Sequence, residues 1–568
     1  MEILTDGSLC FNGGVNAAVD PILKSSVSPH GLDRDELAWA VNARFRDGTA
    51  KPRERLQYRA VLGGSTTGGF AGCAIYHQTN QRELLYILDN KLYKLDLDIT
   101  DPVPVSLMDD NQQVGTDGCE RGYFCQAEKW MIIQAGDYLT NPWFYDGSTI
   151  RQSNGFSGST KEIPPAGPMA YYMGRVWFAV GRRYGAGDLV GGPSGTSQND
   201  YMDAVLRVSE LTNILSNQWF CVPAGQSIIT AMRYNFEPNE LFGQGYLYIF
   251  TMNQVYALQV PLSSDEWTDL TSTSMPRQTV VSPEVGAPSD KCVIPANGDL
   301  IFLANDGTMR SIKLAMRMYS EWADTDLLIG LRNRLGAPEG DPSGFVLRNR
   351  LYMRWNNNML VACDLYPTMR PFESVAPVTD GVIEITKGVI VQLVKDEIND
   401  RGYVVLNQDG YYVLYELVDD NQPDQYLDIE LLQGTKPMPV GWVLETPRYT
   451  FDYPLILKRL IGGHLLVDQI RGDVTIVVRW RRDSDTCWHI WTVLDGGRLC
   501  VPDDSPGSYY DYFVDLGQPP SVISTGGRYS NIGYSFQLAL EIQGHCRIRG
   551  IVLKAVPLEQ PIYKSHEL

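Results

Sequence analysis

Reactive residue types are sparse in this chain, and its densest cluster of like charge is basic. Arg44, Arg46, Lys51, Arg53, Arg55 and Arg59 crowd one short stretch, diluted by Asp47 and Glu54. Cations at that density suit an anionic partner, but interleaved acids suit a solvated strand edge or a salt-bridged subunit contact better. We therefore take the six as an interface with a neighbouring subunit or an adaptor.

Metal and covalent chemistry find less support. Cys487 and His489, two apart on a strand, would share a face and could begin a zinc site. A structural site needs four ligands, and no second pair lies nearby. His545 and Cys546 adjoin each other and so point to opposite faces of any strand. The ten cysteines contain no C-x-x-C pair, which reads as buried free thiols. No G-x-S-x-G, H-E-x-x-H or P-loop occurs. The run GAGDLVG at 185–191 has one residue too many for a dinucleotide loop. The acidic stretches at 96–101 and 419–424 do not follow the spacing of a calcium loop and read as solvated turns. We expect no enzyme activity, no cofactor and no bound metal.

The elements that must position these residues are hairpins. An apolar strand, a turn on Asn, Asp or Gly, and a strand rich in Tyr and Leu recur at 83–97, 245–258, 298–312, 344–365 and 402–417. The turns at Asp89-Asn90, Asn305-Asp306-Gly307 and Gln408-Asp409-Gly410 supply residues that tolerate positive φ. Looser copies sit at 129–145 and 170–180. Most copies begin roughly fifty residues after the last, with a wider step before 245, close to the ~40–50 of a four-stranded blade. Blades cannot bury both faces alone and must stack around an axis. The fold class is therefore all-β: a six- or seven-bladed β-propeller with an N-terminal lead segment and a C-terminal antiparallel β-sandwich. Boundaries are expected at 1–64 for the lead, 65–420 for the propeller, 425–557 for the sandwich and 558–568 for a tail. Within the sandwich, 475–481 and 535–542 alternate apolar and polar residues, the mark of one dry and one wet face. Short helices are expected at 33–43, 201–215 and 315–335.

Composition agrees with this assignment. Tyr occurs 31 times and the aromatic share is 11%, which suits half-buried strands. No stretch reaches the ~20 apolar residues of a membrane span, and the first residues lack the basic-then-apolar order of a secretory signal. We expect a soluble product folded in the cytosol. The formal charge of −19 disfavours gripping nucleic acid by its phosphates. It is compatible with a wall past which DNA slides.

The lead segment carries a resemblance. Phe11-Asn12-Gly13-Gly14-Val15-Asn16, then Asp20-Pro21, then 36–43 (ELAWAVNA) and Lys51-Pro52-Arg53 resemble the opening of bacteriophage tail propeller proteins. The hairpin at 89–94 is similar to the first-blade phrase of tail hub or nozzle proteins of short-tailed phages. The ending at 533–538 with 547–550 resembles their C-terminal sandwich. The resemblance implies a virion tail protein assembled in the host cytoplasm, a homohexamer below the portal or its adaptor. Viral DNA would pass through the ring without sequence-specific binding during retention and ejection. The alternative is a distal tail protein that binds or degrades a host surface glycan.

Limited proteolysis of the native protein should cut first within 181–200 and near 419–424, where Gly, Ser and acidic residues are concentrated. Early cleavage inside 84–97 or 300–312 would contradict their assignment to blade strands.

Overall fold

The computed structural model describes residues 3–25, 28–64, 69–116, 119–155, 161–188, 202–208, 219–223, 227–235, 245–260, 277–296, 298–313, 326–365, 378–386, 388–419, 427–428, 438–483, 485–495, 499, 512–520, 523–524, 527–528 and 531–558. Strands dominate, and they form a closed ring of blades. The innermost strands are Phe70–Gln78, Tyr123–Ala127, Met169–Tyr172, Ile229–Tyr234, Val293–Ala296, Gly344–Leu347 and Val389–Asp396. Each lies beside the next, and the last lies beside the first. Six blades are free-standing sheets. The sixth in chain order, which begins at Gly344–Leu347, is instead fused through its outer strand Val378–Glu384 to a larger sheet.

Sequence explains the blades locally. In the first blade, Gln81–Leu88 is flanked by Phe70–Gln78 and Lys91–Asp96. Leu84, Leu85, Tyr86 and Ile87 are all fully buried, because blades pack against both of its faces. Asp89 and Asn90 take φ of 49° and 62°, making the two-residue turn whose twist matches the strands it joins. Asp409-Gly410 turns the seventh blade in the same way, while the turn at 305–307 sits in a longer loop that joins Leu303 to Met309.

The core is layered between neighbouring blades, and tyrosines tie the layers together. Tyr76 of the first blade packs edge-on against Tyr145 of the second at 5.2 Å and donates to the Lys129 carbonyl at 2.8 Å. Tyr86 donates to the Leu62 carbonyl at 2.8 Å, and Tyr172 to that of Gly245. An apolar ring with a polar tip fills such a layer and still satisfies its hydroxyl, which accounts for the abundance of Tyr. Glutamines do similar work between inner strands. Gln392 of the seventh blade accepts from the Cys73 N–H at 3.2 Å and donates to the Cys73 carbonyl at 2.9 Å.

Two findings revise the expected boundaries. The outer strand of the seventh blade is Arg55–Gly64, which pairs with Tyr411–Val418 in antiparallel register. The propeller therefore begins ten residues before 65, inside the stretch assigned to the lead. The C-terminal domain is also continuous with its surroundings. Its two long strands, Lys458–Arg482 and Phe536–Pro557, pair along most of their length and bend where the register shifts between Asp468 and Thr475. Leu4–Ser8 and Gly441–Glu445 flank Phe536–Pro557, and Trp39–Val41 joins Gly441–Glu445 to the sixth blade at Val382.

The helix expected at 33–43 is absent: Glu36–Leu37 and Trp39–Val41 are strands. Eleven residues make a marginal helix in isolation, and pairing on both edges of Trp39–Val41 prevails over local propensity. Of the stretch at 201–215, residues 202–203 are helical and run into the 3-10 turn Ala204–Leu206. Of 315–335, residues up to 325 lie outside the described ones, and the remainder contains the 3-10 turn Ile329–Leu331. The nine described cysteines are free thiols. Among the described residues no helix is long and apolar enough to cross a membrane.

Ala60 is 3% exposed and lies opposite fully buried Leu414. An Ala60→Asp substitution should cost ~3–5 kcal/mol, the usual penalty of an uncompensated buried charge. The urea midpoint of the full chain measures this. An unchanged midpoint would mean that Arg55–Gly64 is a loose addition to the ring.

Candidate functional site

The basic stretch folds as a hairpin, Ala43–Arg46 and Thr49–Pro52, turned by Asp47 and Gly48 at φ of 60° and 69°. Alternation buries Ala43, Phe45 and Ala50 and leaves Arg44, Arg46 and Lys51 on the other face. That face meets carboxylates of the same chain. Arg44 donates to both oxygens of Asp419, at 2.9 and 2.7 Å, and to Glu54 Oε1 at 3.2 Å. Arg46 grips Asp364 with two bonds, at 2.9 and 3.0 Å. Arg53 donates to Asn42 Oδ1 at 3.2 Å and to the Glu54 carbonyl at 2.6 Å. Arg59 pairs with Glu416 inside the seventh blade. Arg55 opens the closing strand, opposite Val418. Lys51 faces a recess. The six residues expected at a subunit or adaptor interface are thus spent chiefly on a joint within the chain.

The centre of that joint is Glu54, buried together with Arg350 and Tyr352. Glu54 accepts from Arg350 Nη1 at 3.1 Å and from the Tyr352 hydroxyl at 2.6 Å. Arg350 Nε donates to Asp380 at 2.6 Å, and the other Asp380 oxygen accepts from the Phe45 N–H at 2.8 Å. Burial alone would raise the Glu54 pKa, but the Arg350 and Arg44 charges and the Tyr352 hydroxyl overcome it and hold the carboxyl at about 2. Burial likewise opposes, and Arg44 and Arg348 prevail, at Asp419, also held at about 2. Asp380 is different: burial pushes it up to about 6 against the pull of Arg350. The sequence offered one signal of this network, Arg350 and Asp364 standing at the ends of largely apolar strands. Of their partners, Glu54 and Arg46 lie hundreds of residues away, and Asp380 only 30.

A second cluster crosses the propeller axis. Arg121, just before the second blade, donates to Asp341 at 2.7 Å, just before the sixth. Lys291, before the fifth blade, sits 3.5 Å from the other Asp341 oxygen and 3.3 Å from the Ala71 carbonyl of the first. A Cβ on Gly72 would meet the Gly122 carbonyl and the Lys291 ammonium, both at 3.2 Å. Groups from opposite sides of the ring touch here, so side chains span the bore at this end.

The remaining candidates stay apart. His489 pairs with Asp485 at 2.7 Å, while Cys487 is exposed. His545 borders the joint and Cys546 is buried. Gly185 and Ala186 belong to the strand Arg183–Ala186, in the third blade, and 189–191 lie outside the described residues. Asp98, in the acidic turn at 96–101, pairs with Arg82 at 2.9 Å. Among the described residues no three His, Cys, Asp or Glu are placed to hold a metal.

No family model matches this chain, and no curated protein matches it. Solved structures do resemble it in fold. Raptor from Chaetomium thermophilum is 9% identical with a TM-score of 0.36, over 65% of this chain and 30% of that one. BamB from Moraxella catarrhalis is 12% identical with a TM-score of 0.32, over 67% and 99%. The WD40 β-propeller domain of Doa1 is 9% identical with a TM-score of 0.35, over 63% and 96%. The chain thus spans less than a third of Raptor's length. The likeness concerns the fold alone.

The joint makes stability pH-dependent in two directions. Glu54 and Asp419, depressed from 4.5 and 3.8 to about 2, contribute stability present above those ordinary values and lost as pH falls towards 2. Asp380, raised from 3.8 to about 6, contributes stability present below 3.8 and lost as pH rises through 6. His545, bordering the joint, is held down from 6.5 to about 4 by burial and Arg471, so its contribution is present above 6.5, is lost as pH falls towards 4, and offsets the Asp380 gain. Melting temperature should therefore stay nearly level from about pH 7 to about pH 5 and fall below about pH 4. Glu54→Gln should shrink the acid fall and cost ~3–5 kcal/mol at neutral pH, because Arg350 loses a buried carboxylate. Calorimetry across this range checks both, and an unaltered acid limb in the variant would remove Glu54 from the centre of the joint.

Proposed function

We propose that this chain is a structural protein of a bacteriophage tail, of the hub or nozzle kind. Six copies would surround a DNA channel below the portal or its adaptor, in the virion, and take part in DNA retention and ejection. The resemblance of the lead segment suggests the family. The observation that carries the reading is the single fourteen-stranded sheet that joins lead segment, sixth blade and C-terminal domain. A wall that holds against packaged DNA needs blocks without internal hinges, and a shared hydrogen-bonded sheet provides one. The side chains crossing the bore support a lumen formed between copies, not through each propeller. A net charge of −19 per copy suits such a lumen. With screening over ~8 Å at physiological salt, carboxylates near the duplex repel it without holding it.

Native mass spectrometry and negative-stain imaging test this reading. The expected result is a sixfold ring, formed by the protein alone or on addition of its tail neighbours. A trimer that binds a surface glycan would overturn it in favour of a distal adhesin. Submicromolar, salt-sensitive binding of duplex DNA would overturn it in favour of a DNA-gripping protein.

A further inference from the structure

A recess of about 150 Å³ opens where the basic hairpin, the sixth blade and the long C-terminal strands meet. The hairpin contributes Arg44, Arg46 and Lys51 to its lining, the blade Arg350, and the long strands Arg471 and His545. Its carboxylates are Asp47 and Asp419, and Asp419 already lies in a two-bonded pair with Arg44. Two cations keep donor capacity that no described residue fills. The Arg350 side chain is 5% exposed, and its buried Nη2 has no hydrogen-bond partner, with Asp364 at 3.6 Å. Lys51 stands opposite Arg44 in the hairpin register and forms no ion pair among the described residues.

We propose that this recess binds one tetrahedral oxyanion of the inorganic phosphate class, held by Lys51 and Arg350. Basic groups line the recess from three separate elements, which suits a tetrahedral anion better than a flat carboxylate. Its volume fits an isolated anion, and Asp47 and Asp419 at the lining repel a continuous phosphate chain. Burial, together with Arg44 and Arg547, lowers the Lys51 pKa, and burial with Arg471 holds His545 at about 4. Both directions mark a pocket in which positive charge outweighs negative, inside a protein whose net charge is −19. The anion would bridge the lead hairpin, the sixth blade and the C-terminal domain, and so stabilise the folded chain by mass action.

The test is calorimetric titration and thermal melting of the full chain with inorganic phosphate, against chloride at equal ionic strength. Saturable one-to-one binding and a rise in melting temperature are expected. Lys51→Met should weaken binding by ~10-fold or more. It should leave the melting temperature in chloride unchanged, because Lys51 has no ion pair to lose among the described residues. A short DNA duplex supplies the same chemistry as a backbone phosphate, and it should neither compete with phosphate nor raise the melting temperature. Absence of saturable phosphate binding, or equal affinity in Lys51→Met, would overturn the proposal. Duplex binding tighter than phosphate, and lost in Lys51→Met, would replace it with a nucleic-acid site.

Discussion

The structure depends on one pairing, that of Arg55–Gly64 with Tyr411–Val418. A ring of blades removes its open edges only if the two ends of the chain segment that builds it are hydrogen-bonded to each other. Here the last blade lacks a strand and the chain before the first blade supplies it. Because Glu54 immediately precedes that strand, closing the ring also delivers a carboxylate to Arg350 and Tyr352. The same segment then places Arg44 against Asp419, one residue past the strand with which Arg55 pairs. Ring closure and the ionic joint are one event in space.

That coupling gives the basic stretch its meaning. Arg44, Arg46, Arg53 and Arg59 are held by groups of the same chain, and Lys51 borders the recess. A buried ionic network of this kind adds little net stability over a well-packed apolar joint, yet it is costly to break and permits one geometry. It orients a hairpin, a blade and a C-terminal domain built on two long strands, whose apolar faces alone would tolerate sliding.

The blades were legible in the sequence because their information is local. Asp89-Asn90 and Asp409-Gly410 announce turns, and runs such as 84–88 announce strands buried on both faces. The alternation at 475–481 and 535–542 likewise identified strands of the C-terminal domain. What failed to show depends on distant partners. Nothing near Trp39–Val41 reveals that Gly441–Glu445 and Val382 will occupy its edges, so its local pattern suggests a helix. Nothing near Arg44 or Arg46 reveals Asp419 or Asp364, and unpaired cations in a sequence suggest a surface for another molecule. The boundary at 65 erred for the same reason, since the closing strand differs from its neighbours only in its remote partner.

The closing strand also sets the order of events during synthesis. Arg59 and its partner Glu416 are 357 residues apart. At ~5–20 residues per second, the strand emerges on the order of tens of seconds before the strand it must join. Throughout that interval six blades can form while the seventh cannot, and an open edge stays available to any passing chain. Arg55, Arg59 and the Gly63-Gly64 pair at its end are residues that discourage such pairing. Their charges serve the nascent chain as guards before they serve the folded one as ties.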